Sequence, residues 1–272
     1  QMRVKHVYLM LDWSCDRILH GIARFARKEK WALQISRSHE PWWPDERIFD
    51  GILSIIPRNS SLANHASNAT IPLVDLANAE QTISLHRVVP DSQSIGHEAA
   101  EYFVSKGFKS FATFNFANSW VEEERLGAFE ESLRISGHPC RKFCYPNPNE
   151  YHQGHEAVKK WAKAALSALP TPTAVFVGND IFALLIIECC VEEEIAIPDR
   201  VALLGVDNDP IACDYAIYPL SSLDSDLESV GYHGAEVLCR LMAGEHIHER
   251  IHYIPPKGVV SRRSTDIFAS DS

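Results

Sequence analysis

Two short apolar stretches, each ending in a group of acids and amides, decide the fold class of this chain. The first is Ala-Val-Phe-Val-Gly-Asn-Asp at residues 174–180, and the second is Val-Ala-Leu-Leu-Gly-Val-Asp-Asn-Asp at residues 201–209. Apolar runs of this length are typical of strands buried on both faces of a parallel sheet. In open α/β sheets, ligands bind beyond the carboxyl ends of the strands. The candidate ligand-binding residues at these ends are therefore Asn179, Asp180, Asp207 and Asn208.

The residue types at these strand ends favour a polyhydroxylated ligand. Carboxylates accept hydrogen bonds from two adjacent hydroxyls, and amides both donate and accept. The charge of a carboxylate makes each such bond stronger than a neutral one.

The rest of the chain also has the pattern of an α/β protein. Apolar strand patterns alternate with helical patterns, as in the helix pattern at residues 92–106 followed by the strand pattern at 111–116. Such alternation predicts parallel sheets with helices on both faces. A length of 272 residues exceeds the usual size of one domain, so we expect two lobes.

The charge balance argues against direct nucleic-acid binding by this chain. Lys and Arg total 26 against 36 Asp and Glu, which gives a net charge of -10. The sequence contains no basic stripe that could line a phosphate backbone. Its tight basic groups include the run at residues 24–30, which Glu29 interrupts, and the pair Arg262 and Arg263.

Cysteine usage and hydropathy favour a cytoplasmic protein. The seven cysteines include no CxxC pair, and Cys189 and Cys190 are adjacent in an apolar helical stretch, which is typical of free thiols in a reducing compartment. No signal-peptide pattern opens the chain, and no apolar run approaches the 18 residues of a membrane span, so we expect no membrane association.

Several short motifs, in this order, resemble the effector-binding region of the lactose/galactose repressor family. They are Val89-Pro90-Asp91 before Gly96 and Ala99-Ala100, Lys106-Gly107, Arg125 with Phe129 ahead of Gly137, Gly178-Asn179-Asp180, Gly205-Val206-Asp207-Asn208, Leu220-Ser221-Ser222-Leu223 and the helical pattern at residues 231–241. The ending at residues 255–266, together with Asp16-Arg17, is most similar to the xylose-operon activator branch.

This resemblance implies two doubly wound parallel-sheet lobes of the periplasmic-binding-protein type, joined by a hinge of three crossovers. We expect the crossings near Asn115, Ser225 and Glu249. The first lobe would then hold residues 1–115 and 226–248, and the second 116–225 and 249–266. Residues 267–272 would be a tail leading to a DNA-binding domain missing from this chain.

In the second lobe, the resemblance implies that Arg125 reaches the ligand from the first helix and that Asp207 pairs with ligand hydroxyls. The alternatives are a solvated charge for Arg125 and a helix or turn cap for Asp207. Of Asn179 and Asp180, one would face the cleft between the lobes and the other would cap the next helix. The residues alone do not decide which.

The remaining site predictions fall mainly on the first lobe, where the loop at residues 12–17 departs from the common repressor pattern. Asp75 ends a first-lobe strand and matches an acid that some family members use. Trp13 and Trp120 could stack on the apolar face of a sugar, although tryptophan more often lies in a core or interface. Asp16 could equally be a helix N-cap. The further candidates of this loop are Asp12 and Arg17.

Two other chemistries were considered for the chain. His246, His248 and His252 could ligate zinc, but they sit at a predicted hinge strand without further spaced ligands, so we predict no metal. No nucleophile elbow or phosphate loop is present, so we predict no enzyme activity and no cofactor. A sugar-processing α/β enzyme, with paired carboxylates as acid and base, remains an alternative.

The function that the resemblance implies is the sensing of a monosaccharide effector, such as xylose or a related pentose, by a transcriptional regulator. Operator DNA would be bound only through the missing helix-turn-helix domain, and the sensor would form a homodimer through first-lobe surfaces. A secreted solute-binding protein of a sugar transporter is the alternative within the same fold.

Overall fold

The predicted alternation of strands and helices is present in the structure, a computed structural model that describes residues 3–11, 16–36, 43–58, 60–117, 119–147 and 155–266. The elements up to residue 116 are β1 (His6–Leu11), α1 (Asp16–Glu29), β2 (Ala32–Ser36), β3 (Gly51–Ile55), α2 (Leu62–Ser67), β4 (Leu73–Asp75), β5 (His86–Pro90), α3 (Ser92–Ser105) and β6 (Phe111–Phe116). Those that follow are α4 (Trp120–Ile135), β7 (Cys140–Tyr145), α5 (Glu156–Ser167), β8 (Thr173–Val177), α6 (Asp180–Glu192), β9 (Val201–Val206), α7 (Pro210–Asp214), β10 (Ser221–Asp224), α8 (Leu227–Met242), β11 (Ile251–Ile254) and β12 (Gly258–Val260).

The elements form two compact units, each built on one six-stranded sheet. The first unit comprises residues 1–90 and 226–254, and its strand order is β11-β5-β4-β3-β1-β2, with every pairing parallel. The second comprises residues 91–225 and 255 onward, and its strand order is β12-β10-β9-β8-β6-β7. In the second sheet β12 runs antiparallel to β10, and the other pairings are parallel. The predicted fold class, two parallel-sheet α/β lobes, is confirmed.

The chain passes between the units at positions that differ in part from those predicted. It enters the second unit after Pro90 and not near Asn115, because α3 packs along α4 and β6 belongs to the second sheet. The crossing predicted near Glu249 lies after Ile254, because β11 pairs with β5 in the first sheet. The crossing between these two follows residue 225.

The central strands of the second sheet are buried on both faces, as their sequences predict. Along β8, Val175 packs in the apolar cluster on one face and Phe176 in the cluster on the other. Leu203 and Leu204 of β9 divide between the same two clusters. Successive side chains of a strand point to opposite faces, so a strand covered by helices on both sides is apolar throughout.

A close approach of α3 to α4 fixes the position of α4, the helix that carries Arg125. A Cβ atom added at Gly96 of α3 would lie 2.2 Å from the carbonyl oxygen of Arg125 in α4. Only glycine at residue 96 permits this helix spacing, which holds Arg125 at the edge of the second sheet.

Among the described residues, no helix is both long enough and apolar enough to cross a membrane.

Candidate ligand-binding site

The carboxyl ends of β8, β9 and β10 bring several of the predicted residues together at one edge of the second sheet. Asn179 and Asp180 follow β8, and Asp207 and Asn208 follow the neighbouring strand β9. Arg125 reaches the same edge from the second turn of α4, since its guanidinium donates to the backbone next to Asn179. The described part of the site therefore lies within the second unit.

Arg125 is the buried cation of this edge, with 3% of its surface exposed. Its Nη1 donates a hydrogen bond to the carbonyl oxygen of Gly178 at 3.0 Å and lies 3.6 Å from Oδ1 of Asp207. Its Nε is buried and has no hydrogen-bond partner among the described residues. A guanidinium presents five donors, so this one retains capacity to bind a ligand oxygen.

Asp207 combines partial exposure with a constrained backbone. Its side chain is 28% exposed, and its Oδ1 accepts a hydrogen bond from Oγ of Ser225 at 2.8 Å. Its φ is 100° and that of Asn208 is 51°, both in the region that disfavours side chains with a Cβ. Backbone held in such a conformation is common at ligand sites, where surrounding contacts maintain it.

Asn179 is the N-cap of α6 and also contacts α4. Its Oδ1 accepts a hydrogen bond from the amide of Phe182 at 2.7 Å, as preferred N-cap residues do. Its Nδ2 donates to Oε1 of Glu122 at 2.5 Å. The amide group of Asn179 therefore links the beginnings of two helices.

Glu122, which was not predicted as a site residue, lies on α4 near Arg125. Its Oε2 is buried without a hydrogen-bond partner among the described residues. Burial raises the pKa of its carboxyl, while the bond from Asn179 and the nearby Arg125 oppose that rise. Glu122 lies three residues before Arg125, a spacing that places both side chains on one side of α4. This spacing is the sequence signal that could have identified Glu122 as a site residue.

Asp180 is enclosed beneath the strand ends, with 1% of its surface exposed. Its Oδ1 accepts from Oγ of Ser222 at 2.7 Å, and its Oδ2 accepts from the amide of Asp209 at 2.8 Å and from Sγ of Cys213 at 3.3 Å. Burial, with a smaller effect of the nearby Asp207, raises the pKa of this carboxyl to about 7. Asp180 therefore fixes the loop after β9.

This raised pKa predicts that stability decreases between about pH 4 and pH 7 on account of Asp180. The ordinary value is 3.8, so across this range the folded state binds more protons than the unfolded state. The free energy of unfolding then falls as the pH rises, by an amount on the order of a few kcal/mol.

Urea denaturation at pH 5 and pH 7.5 tests this prediction. We expect Asp180→Asn to reduce the stability difference between the two pH values, whereas Asp199→Asn, at an exposed residue of the same unit, should leave it unchanged. An Asp180→Asn protein with the wild-type difference would show that this carboxyl is ionised throughout.

Asn208 is held by three hydrogen bonds that fix both its backbone and its side chain. Its amide donates to Oγ of Ser222 at 2.9 Å, its Nδ2 donates to Oδ2 of Asp224 at 3.1 Å, and its Oδ1 accepts from Nη2 of Arg262 at 3.0 Å. Asn208 therefore shapes the loop that presents Asp207.

The first-unit candidates that the structure describes differ in their burial. Asp16 is exposed and Arg17 is half-buried at the start of α1. Asp75 is fully buried, its Oδ2 lies 3.4 Å from Nε of Arg87, and burial raises the pKa of its carboxyl to about 7. Asp12 and Trp13 lie outside the described residues.

Trp120 begins α4 on the side opposite to Glu122 and Arg125. It is 38% exposed and lines a groove of about 550 Å³ between α3 and α4, together with His97 and Glu124. Residues of a helix advance by about 100° each, so positions 120, 124 and 131 share one side and position 125 another. The structure therefore does not bring Trp120 together with Arg125.

Among the described residues, no three His, Cys, Asp or Glu side chains form a group that could hold a metal ion. In the strand-end site, the Asp207 carboxylate lies beside the Arg125 guanidinium, and groups of these types form hydrogen bonds with polar ligands.

The fold agrees with comparisons to known proteins. A family model described as a periplasmic binding protein-like domain matches residues 100–265, and the chain belongs to that family. The sequence resemblance to the effector-binding region of the lactose/galactose repressor family is confirmed by the relatives that the chain matches.

One such relative is the xylose operon regulatory protein of Haemophilus influenzae, which is 25% identical over 227 residues, covering 80% of this chain and 57% of the relative. The solved structure of a xylose-binding transcription activator has a TM-score of 0.82 at 19% identity, covering 99% of this chain and 72% of that one. The structure of a periplasmic binding protein/LacI transcriptional regulator from Alkaliphilus metalliredigens, solved in complex with D-xylulofuranose, has a TM-score of 0.75 at 16% identity. The match covers 96% of this chain and 99% of that one.

The chain spans little more than half the length of the curated xylose operon relatives. At these identities the solved structures establish the fold.

Proposed function

We propose that this chain is the effector-binding domain of a sugar-responsive transcriptional regulator and that it binds a monosaccharide without consuming it. The observation that carries the proposal is the pairing of buried Arg125, from α4, with partly exposed Asp207, at the carboxyl end of β9. A fixed donor beside a fixed acceptor matches the alternating donors and acceptors of a polyol.

The charges at this edge support an effector without negative charge. Asp207 lies 3.6 Å from Arg125, and burial raises the pKa of the neighbouring Glu122 carboxyl. A phosphate or carboxylate ligand would add a charge beside Asp207, and like charges at short range are unfavourable in a partly buried site. A neutral sugar avoids this cost.

The names of similar proteins support a pentose. They include xylose operon regulators, a xylose-binding activator and a structure with D-xylulofuranose. We propose D-xylose or a related pentose as the effector. As these relatives are regulators, we propose no enzyme activity for the chain.

Control of DNA binding belongs to the same proposal. The xylose operon relatives extend well beyond the region they share with this chain, and the chain itself carries a net charge of -10. We propose that operator DNA is bound by a helix-turn-helix domain outside these residues and that the regulator acts as a homodimer, as the family resemblance implies.

The proposal predicts that Asp207→Asn weakens D-xylose binding. The substitution removes the carboxylate while keeping the volume of the side chain, so ligand hydroxyls lose a charged acceptor worth about 1–3 kcal/mol, or roughly 5- to 150-fold in Kd. Isothermal titration calorimetry measures this loss. Asp199→Asn serves as the matched control, and equal affinity of the two variants would exclude Asp207 from the site.

A further inference from the structure

The C-terminal segment of the second unit, residues 258–265, is anchored against the same strands that carry the ligand site. After β12, Ser264 donates through Oγ to the carbonyl oxygen of Leu203 at 2.7 Å and accepts from the amide of Ser221 at 2.7 Å. Oγ1 of Thr265 lies 2.7 Å from the hydroxyl of Tyr102. Both Ser264 and Thr265 are fully buried.

Within this segment, Arg262 contacts three separate parts of the unit. Its Nε donates to Oδ1 of Asp214 at 2.8 Å, its Nη1 to the carbonyl oxygen of Leu220 at 3.1 Å and its Nη2 to Oδ1 of Asn208 at 3.0 Å. Only 17% of the side chain is exposed. The planar fork of a guanidinium fixes these three acceptors relative to one another, which a lysine could not do.

One of these contacts reaches the loop that presents Asp207. Asn208 and Asp207 both have positive φ values, and a backbone in this region persists only where neighbouring contacts maintain it. Oδ1 of Asn208 accepts a hydrogen bond from Arg262, which lies outside the strand-end region. Nδ2 of Asn208 donates a hydrogen bond to Asp224, which lies within that region. Arg262 therefore links Asn208 directly to residues 258–265.

We propose that Arg262 is a positioning residue that couples the effector loop at residues 207–208 to the C-terminal segment at residues 258–265. Effector binding at Asp207 then stabilises the anchored position of this segment, and the anchored segment strengthens effector binding, because the coupling between two sites is reciprocal. The statement about effector binding rests on the proposed function. The link between residues 207–208 and residues 258–265 is independent of the proposed function.

The adjacent Arg263 provides a matched control of equal charge. It is exposed, and its guanidinium lies 5.2 Å from the centre of the Tyr218 ring. Arg262→Gln and Arg263→Gln therefore remove one positive charge each at neighbouring positions. Only the first removes the bond to Asn208.

The first experiment uses the chain without sugar and measures amide hydrogen exchange. We expect Arg262→Gln to accelerate exchange at residues 207–209 about 5- to 150-fold, the range typical of site-to-site coupling, and Arg263→Gln to leave it unchanged. If both variants exchange like the wild type at this loop, the coupling is overturned, whatever the protein binds.

The second experiment adds D-xylose to saturation and measures its affinity by calorimetry. In the wild type we expect sugar to slow exchange at residues 258–265, and in Arg262→Gln we expect weaker binding and loss of this protection. Sugar that binds the wild type without protecting the segment would overturn the coupling. Absence of sugar binding by the wild type would refute the proposed function, and the sugar-free experiment would still decide the coupling.

A double-mutant cycle separates coupling from a general loss of stability. If Arg262 acts through Asn208, Arg262→Gln should add little to the loss of affinity already caused by Asn208→Ala. Fully additive losses would show that Arg262 supports the fold without acting through this loop, which contradicts the proposal.

Discussion

Replacing Arg125 with methionine should abolish measurable D-xylose binding and lower the free energy of unfolding by about 3 kcal/mol. Methionine fills part of the space of the arginine stem but supplies no donor, so the carbonyl oxygen of Gly178 loses its 3.0 Å hydrogen bond and Asp207 loses its cation. Breaking a buried ion pair from one side typically costs about 3–5 kcal/mol. We expect the lower end because Asp207 is 28% exposed and water can solvate it.

Arg134→Met is the control for this prediction, since it changes the same residue type on the same helix. Arg134 is exposed and pairs with Glu131 at 2.6 Å, a surface pair that contributes little to stability. Urea denaturation and calorimetry on both variants give the two readouts. An Arg125→Met protein that binds D-xylose as well as Arg134→Met would remove Arg125 from the site.

Gly205→Ala should strongly destabilise the second unit, with a loss of about 3 kcal/mol or more in the free energy of unfolding. Gly205 lies in β9, and a Cβ atom at this position would fall 2.1 Å from Oδ1 of Asp180 and 3.2 Å from the Leu220 side chain. Asp180 cannot yield without losing its bonds to Ser222 and the loop after β9. Overpacking typically costs about 1–3 kcal/mol, and the broken buried network adds to it.

Gly127→Ala provides the opposite outcome from the same substitution. Residue 127 is in the interior of α4, and apart from the adjacent residues and backbone of that helix, no atom of the described residues lies within 4 Å of a Cβ atom built there. Alanine there should raise the free energy of unfolding by about 0.5–1 kcal/mol, because glycine is the less favourable helix residue. Thermal or urea denaturation of the two variants measures both values, and a Gly205→Ala protein as stable as the wild type would contradict the close contact with Asp180.

The sequence predicts that Asn179 and Asp207 lie at the same edge of a sheet, because the parallel direction of their strands determines where both residues lie. Both residues follow apolar strands, and parallel neighbouring strands end at the same edge of a sheet. The helical pattern at residues 92–106 does not reveal which sheet it covers, so the first crossing was placed near Asn115. The decisive feature is the close packing of Gly96 on α4, a contact between residues far apart in sequence.

The local sequence pattern did not predict which charged residues are buried. Asp75 ends a strand as Asp207 does, yet it is fully buried against Arg87, which belongs to the next strand of the sheet. Glu122 belongs to a run of acids that is typical of a solvated face, and its contact with Asn179 comes from 57 residues away. Such partners are determined by the tertiary structure, so the residue type alone leaves the role open.

The central claim is that the chain binds a neutral pentose and releases it unchanged. Titration of residues 1–272 with D-xylose in a calorimeter, followed by chromatography of the sugar recovered from the cell, tests it most directly. The account predicts saturable binding with one sugar per chain, full recovery of D-xylose and no comparable heat from D-xylonate or D-xylose 5-phosphate. Conversion of the sugar, or tighter binding of the anionic sugars than of D-xylose, would contradict it.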